Sequence, residues 1–349
     1  MSKLKVVVLF DTQRPPPQDQ DYAKEIEAGS AEPQFDVFRA LRESGHEPRL
    51  VGIRDDVPAL IEQLRQSPPD LVFNLCESFR GLSQLDVSVA GVLEMLGLHY
   101  TGAPMQGLVV ARDKALSKKV LAWHGIRVPE FALYRIGEPF LRPSVLRFPL
   151  IVKPLLEDAS LGVAEASICN DDKALEERIT YVHARLRRDA IVEELIHGRE
   201  LYVGLLGNVQ PLVLPVVEMV FGEDNGKPRI ATFKAKWDEK YRTRKGIRNQ
   251  IVTDLEPKVL ERIGAAALTA YRDLELRDYG RVDLRLTHDN EVYVLEANPN
   301  PFLARGEDLA MAAEASGLTY PALIRRIVEL AMERVVAGIP EGKAAEAAG

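Results

Sequence analysis

Residues 280–301 read GRVDLRLTHDNEVYVLEANPNP, two short apolar runs joined by the polar turn Thr287-His288-Asp289-Asn290. Side chains two apart on a strand share a face, so Arg281 goes with Asp283 and Glu296 with Asn298. If the runs Gly280 to Leu286 and Glu291 to Ala297 pair antiparallel across that turn, one face collects two carboxylates, an amide oxygen and a guanidinium. Hard oxygen donors of this kind suit Mg²⁺, which completes its shell with phosphate oxygens and water. A solvated hairpin with surface ion pairs is the ordinary alternative. The apolar approach to Glu296 weighs against it, because a carboxylate ending a buried strand is costly unless paired or metal-bound.

Working outward, Lys153 in PLIVKP is an isolated cation on a short apolar strand. It can meet a phosphate as a compact point charge, or snorkel from a strand edge. The stretch from Leu155 to Gly162, with Glu157, Asp158, Ser160 and Gly162, has the composition of a turn that closes over phosphates through backbone N–H groups. There is no G-x-x-x-x-G-K loop and no G-x-G-x-x-G opening a helix, so Walker-type and dinucleotide-binding readings have no support. In IVEELIHGREL an apolar strand runs into Glu193 and Glu194, then Ile196 and Glu200. An adenine ring wants apolar faces plus a few carboxylate and backbone contacts, although a surface hairpin has the same pattern.

The surrounding chain sets the frame. Lys5 to Phe10 predicts a buried strand, Pro33 to Glu43 a helix, His46 to Ile53 a strand, Val57 to Gln66 a helix and Asp70 to Cys76 a third strand. Such alternation implies a parallel sheet covered on both faces. The segment Gln13 to Pro33 is longer than an ordinary connection, hence either a substrate loop or a disordered excursion. Leu85 to Leu96 reads as helix, Leu98 to Thr101 as a short strand and Asp113 to Gly125 as helix. Beyond Leu150 the chain is strand-rich, at Leu150 to Lys153, Val163 to Ile168, Ala190 to Glu194, Glu200 to Leu206 and Gln210 to Met219. Leu255 to Leu274 and Tyr320 to Val335 are amphipathic helices, and the Ala-rich tail 341–349 is expected to fray.

At 349 residues and 46% hydrophobic content the chain can fill the cores of two or three domains. Its formal charge of −7 is spread through mixed-sign stretches, which argues against a nucleic-acid or anionic-membrane footprint and for small-molecule partners. Only Cys76 and Cys169 occur, expected as buried apolar side chains, and no apolar stretch reaches bilayer length. The expectation is a soluble protein of a reducing compartment, the cytoplasm.

In chain order the sequence shows VFNLCES at 72–78, YTGAP at 100–104, ARDKALSKKVLAWHGIRVP at 111–129, PLIVKP at 149–154, IVEELIHGREL at 191–201, FKAKW at 233–237, GRVDLRL at 280–286 and VLEANPNP at 294–301. As an ordered set these resemble the D-alanine:D-alanine ligase branch of the ATP-grasp superfamily, over most of the chain from about residue 70. The resemblance implies an ATP-grasp fold of α/β plus α+β class. It has an N-terminal parallel α/β domain (1–103), a central subdomain (104–198) and a C-terminal domain (199–340), with ATP in the cleft between the last two. It implies an ATP-dependent carboxylate-amine ligase that phosphorylates a carboxylate to an acyl phosphate, which an amine then attacks. Residue by residue, Lys114 and Lys153 match phosphate lysines, Glu193, Glu194, Ile196 and Glu200 the adenine and ribose surroundings, and Lys236 a lid lysine that approaches the transferred phosphate. Ser160 falls in the phosphate loop as a catalytic position. Asp283, Glu296 and Asn298 match ligands of two Mg²⁺ ions, replaceable by Mn²⁺, and Arg281 matches the arginine that stabilises the tetrahedral intermediate. Metal ions with Lys and Arg suffice for phosphoryl transfer, which needs positioning and charge neutralisation more than covalent help. A homodimer through the N-terminal domain is also implied.

The departures bear on substrate. Where the family has Gly-Ser-Ser-x-Gly this chain has Asp158 to Gly162, and FDTQRPPPQ replaces the turn that holds the first amino acid's ammonium. Glu307 stands near the place of a serine that helps bind the second substrate's carboxylate. An acid there repels a carboxylate and attracts an amine, implying a different acceptor with an extra cationic group. D-alanine:D-alanine ligase proper and a non-catalytic ATP-binding module are the alternatives.

Overall fold

The computed structural model describes residues 3–17, 19–30, 32–157, 160–222 and 229–336. Asp158, Ala159 and the tail 341–349 lie outside the described residues. Among the described residues, strands form three sheets. In the first, the strand Lys5–Asp11 lies between Glu47–Ile53 and Leu71–Asn74, all parallel. Val6 to Leu9 carry no polar side chain and are buried on both faces, as a parallel strand between helical layers must be. The expected strand at Leu98 to Thr101 is a single bridge, Tyr100 to Val72. Pairing stops there because Gly102 turns at φ +91°, its N–H donating to Asp278 and its carbonyl accepting from Arg277.

The excursion from Gln13 to Pro33 contains a short helix, Ala23–Glu27. Its Gln20 side chain accepts from the Gly52 N–H at 2.8 Å and donates to the Gly52 carbonyl at 3.1 Å. The segment thereby occupies the free edge of Glu47–Ile53, an edge that would otherwise offer unpaired backbone groups.

The second sheet is antiparallel, in the order Phe131–Tyr134, Ala190–Glu194, Leu150–Pro154, Ile168–Cys169. Only the end of the expected strand Val163 to Ile168 pairs, because Glu165–Ser167 forms a 3₁₀ turn. The Ser167 hydroxyl accepts from the Ala164 N–H at 3.0 Å, and Arg178 donates to both Ser167 Oγ and the Gly162 carbonyl, which holds the turn closed.

The third sheet runs Arg248–Ile251, Val217–Val220, Arg199–Leu206, Tyr279–Leu286, Val292–Asn298, with Leu212–Val213 paired onto Arg199–Leu206. Pro211 and Pro215 lack N–H donors and reduce the expected long strand Gln210 to Met219 to two pieces. The helix Pro257–Asp273 lays Val259, Ile263, Ala267 and Ala270 along one side onto this sheet. The final helix, Tyr320–Val336, returns to the first sheet, where Ile324, Ile327, Val328 and Ala331 share a core with Val6, Val8, Phe38 and Leu41. Among the described residues no helix is long and apolar enough to cross a membrane.

Candidate active site

The strands of IVEELIHGREL belong to different sheets: Ala190–Glu194 to the second and Arg199–Leu206 to the third. That rules out a surface hairpin, and the crossing Leu195 to Gly198 runs along a cleft between the two sheets. Gly198 makes the crossing at φ +147°, where a Cβ would lie 2.0 Å from the Leu286 carbonyl oxygen. No other residue fits so close to a neighbouring strand.

The hairpin of residues 279–298 supplies one wall. Its register sets Asp283 opposite Glu296 and Arg281 opposite Asn298, so the four polar side chains fall on neighbouring pairs of one face. Between Asp283 and Leu284 the register shifts, because Leu295 has no partner of its own. This bulge explains how Val294 and Ala297, three apart, both reach the core while Leu295 and Glu296 both line the cleft. It also leaves the Leu295 carbonyl to accept from Lys118 Nζ at 2.6 Å. Arg281 grips both oxygens of Asp283, at 2.7 and 3.0 Å, and Asn298 donates to the same carboxylate at 3.1 Å. Beneath them the buried Tyr202 ring carries Arg281 at 5.0 Å and Lys236 at 5.6 Å from its centroid, an arrangement that favours both cations.

Cations converge on this wall. Lys236 Nζ lies 3.5 Å from Asp283, Lys114 Nζ 3.6 Å from Glu296, and Lys114 also donates to the Glu157 carbonyl at 2.6 Å. Lys118 and Lys153 clasp the buried Glu193 at 2.8 and 2.7 Å. Burial alone would push the Glu193 carboxyl up, but the charges of Lys118 and Lys153 outweigh it and hold the group at about 2. Glu296 is likewise raised by burial and pulled back, well below the usual carboxylate range, by Lys114, Lys236, Lys153 and Lys118. Burial lowers Lys118, and Glu193 opposes that shift.

At the other end the cleft is apolar, with Ile151, Val163, Ile196, Ile230 and Leu295 facing one another. Glu200 closes it through Arg285, whose guanidinium also donates to the Gly198 and Arg229 carbonyls at 2.8 and 2.7 Å. Glu194 stands in the wall and accepts from the Arg147 N–H at 3.1 Å. Ser160 enters at φ +60°, its carbonyl accepting from the Val163 N–H at 3.0 Å.

Of the residues singled out from sequence, Lys114, Lys153, Ser160, Glu193, Glu194, Ile196, Glu200, Lys236, Asp283 and Glu296 line one cleft. Arg281 and Asn298 are not among the lining residues; both bond the Asp283 carboxylate at its wall. Glu307 is at neither wall; it precedes the helix Asp308–Ala315, and the carboxylate that reaches Arg281, at 3.4 Å, is Asp308. Sequence reasoning missed Lys118, Arg285 and the apolar faces from Ile151 and Ile230. Lys118 had a signal, since it follows Lys114 by one helical turn and so shares its face.

Among the described residues no three acidic, histidine or cysteine side chains form a ready-made metal cluster. The donor set of Asp283, Glu296 and the Asn298 amide oxygen nonetheless fits Mg²⁺, which uses one or two carboxylates and takes its remaining ligands from phosphates and water.

A cleft between two antiparallel sheets, apolar at one end and lined by lysines and acids at the other, suits a nucleoside triphosphate, and relatives in sequence and structure make the chain an ATP-grasp protein, an ATP-dependent ligase forming C–N bonds. Comparison with known proteins gives the family. The family model described as "D-ala D-ala ligase C-terminus" matches residues 120–329. A D-alanine–D-alanine ligase from Desulforudis audaxviator is 34% identical over 302 residues, 85% of this chain and 92% of that protein. An uncharacterized protein, y4sG, from Sinorhizobium fredii is 33% identical over 305 residues, 85% of this chain and 87% of the relative. The crystal structure of a Bacillus anthracis D-alanine–D-alanine ligase complexed with ATP superposes with a TM-score of 0.74 at 22% identity, covering 96% of this chain and all of that one. The chain belongs to the D-alanine–D-alanine ligase family.

Proposed function

We propose that the chain joins a carboxylate to an amine through an acyl phosphate, with release of ADP and phosphate. The convergence of Lys114, Lys153 and Lys236, with the buried Lys118 behind Glu193, on a cleft that also holds Asp283 and Glu296 carries this reading. Ile151, Val163, Ile196 and Leu295 take the adenine between apolar faces, and Glu200, fixed by Arg285, takes the ribose. Lys114 and Lys153 hold the phosphates, Ser160 with its turn covers them, and Lys236 approaches the phosphoryl group in flight. Asp283, Glu296 and Asn298 would hold Mg²⁺, or Mn²⁺, whose charge would offset that of the phosphates.

The chemistry balances in two steps. A carboxylate oxygen bonds to the γ-phosphorus as the bond to the β-phosphate oxygen breaks and ADP leaves. The amine lone pair then bonds to the acyl carbon, Arg281 neutralises the oxyanion of the tetrahedral intermediate, and phosphate departs as the nitrogen loses a proton. A second cleft, at the carboxyl ends of the first sheet, adjoins the segment after Asn298 and is lined by Phe10, Asp11, Leu75, Glu77, Asn300 and Phe302. Such a crevice is where open parallel sheets bind ligands, and its two acids support an amine acceptor with a further cationic group. The relatives' names favour D-alanine for both substrates, and that reading gives product from D-alanine alone.

ADP and phosphate should form only when acid and amine are both supplied; AMP and pyrophosphate would reject the acyl-phosphate route. Glu296→Gln should lower turnover at least about 100-fold with an unchanged circular dichroism spectrum. Activity retained in that variant removes the carboxylate from its role. The two cysteines, unpaired and buried, accord with a cytoplasmic protein, and light scattering would test a homodimer through the parallel-sheet unit.

A further inference from the structure

We propose that Asn249 is a positioning residue that ties the lid helix carrying Lys236 to Arg281. The proposal rests on the roles of Lys236 and Arg281 given above. Lys236 sits on a helix of five residues, Phe233–Trp237, too short to hold its own place. Its start is capped by Thr232, whose hydroxyl accepts from the Ala235 N–H at 3.2 Å. Its end is held by Arg242, which donates to the Ala235 carbonyl at 2.8 Å and the Lys236 carbonyl at 3.4 Å. The other arm of that guanidinium donates to Asn249 Oδ1 at 3.3 Å. Asn249 Nδ2 donates in turn to Asp308 Oδ1, and Asp308 Oδ2 lies 3.4 Å from Arg281 Nη1.

Asn249 lies on the strand Arg248–Ile251 and is not among the residues lining the nucleotide cleft. Its side chain suits the place because an amide accepts at one end and donates at the other. A carboxylate there would keep the bond from Arg242 and repel Asp308; a short hydroxyl could not span both partners. The chain of contacts thus runs from the backbone of Lys236 to the guanidinium that grips Asp283. A cation meant for a phosphoryl group and an arginine meant for the acyl carbon must be set relative to each other, since misplacement by about 1 Å can cost 100-fold in rate.

The test uses Trp237, at the end of the lid helix, edge-on to Phe302 with centroids 5.6 Å apart. The other tryptophan, Trp123, is 87% exposed at the far end of the helix that begins with Lys114, and is removed by Trp123→Phe. In that background Asn249→Asp should lower kcat about tenfold, leave KM for ATP within about twofold and lower the fluorescence anisotropy of Trp237. The exchanged pair Asn249→Asp with Asp308→Asn restores donor and acceptor in reverse order, and should return kcat to within about threefold of the parent. Asn249→Ser, which breaks the bridge without adding charge, serves if either fails to fold. Wild-type kcat and anisotropy in the folded single variants would overturn the proposal, as would an exchanged pair that folds but stays as slow as Asn249→Asp. Should the parent itself form no amine-dependent ADP, the ligase reading fails, while the anisotropy still decides the tether.

Discussion

Glu193 shows how one carboxylate governs a cleft it barely touches. Its depressed titration means that ionised Glu193 stabilises the folded chain at all pH values above its ordinary 4.5, and that this contribution is lost as pH falls toward about 2. The size is on the order of 3 kcal/mol, since a tenfold change in proton affinity is worth about 1.4 kcal/mol. Glu193→Gln also strands the buried Lys118 without a counter-charge. The variant should therefore unfold at lower denaturant than the parent at pH 7, and the gap between their midpoints should close between pH 4.5 and 2. A gap that does not change over that range would mean the lysines owe their placement to something else.

Elements reveal what was readable in the sequence and what was not. The hairpin of residues 279–298 was legible because two apolar runs alternate with polar residues around an obvious turn, and its register next to that turn, from Leu284 to Leu286, follows from it. The bulge at Leu295 was not, since an extra residue in one strand leaves no mark in composition. Lys153 stood out as a lone cation among apolar neighbours; Lys118 was lost beside Lys119 on a helix where exposed lysines are ordinary. Asn249 and Asp308, 59 residues apart, meet only through the fold of the third sheet. Gly198 belongs to this scale too. A methyl group there strikes the Leu286 carbonyl and shifts its own carbonyl from Arg285, the partner of Glu200. Gly198→Ala should raise KM for ATP about tenfold while leaving kcat within about threefold, measured by initial rates.

At the scale of the molecule, Asp278 and Arg334 join the final helix to the first and third sheets. Arg334 donates to both oxygens of Asp278, at 2.9 and 3.1 Å, and to the Tyr100 carbonyl at 2.7 Å. Asp278 in turn accepts from the Gly102 N–H at 3.0 Å. All of this is buried, so Arg334→Leu leaves a carboxylate in the interior and should cost about 3–5 kcal/mol by denaturant titration. Adding Asp278→Asn should recover part of that loss. The same helix, Tyr320–Val336, covers the first sheet, and this has a consequence for synthesis. The sheet's three strands are translated by residue 74, yet the core that Val6 and Val8 share with Phe38 and Leu41 is completed only by Ile324 and Val328. For roughly 250 further residues the nascent chain presents part of an oily surface to the cell, an invitation to chaperones that the helix Tyr320–Val336 withdraws.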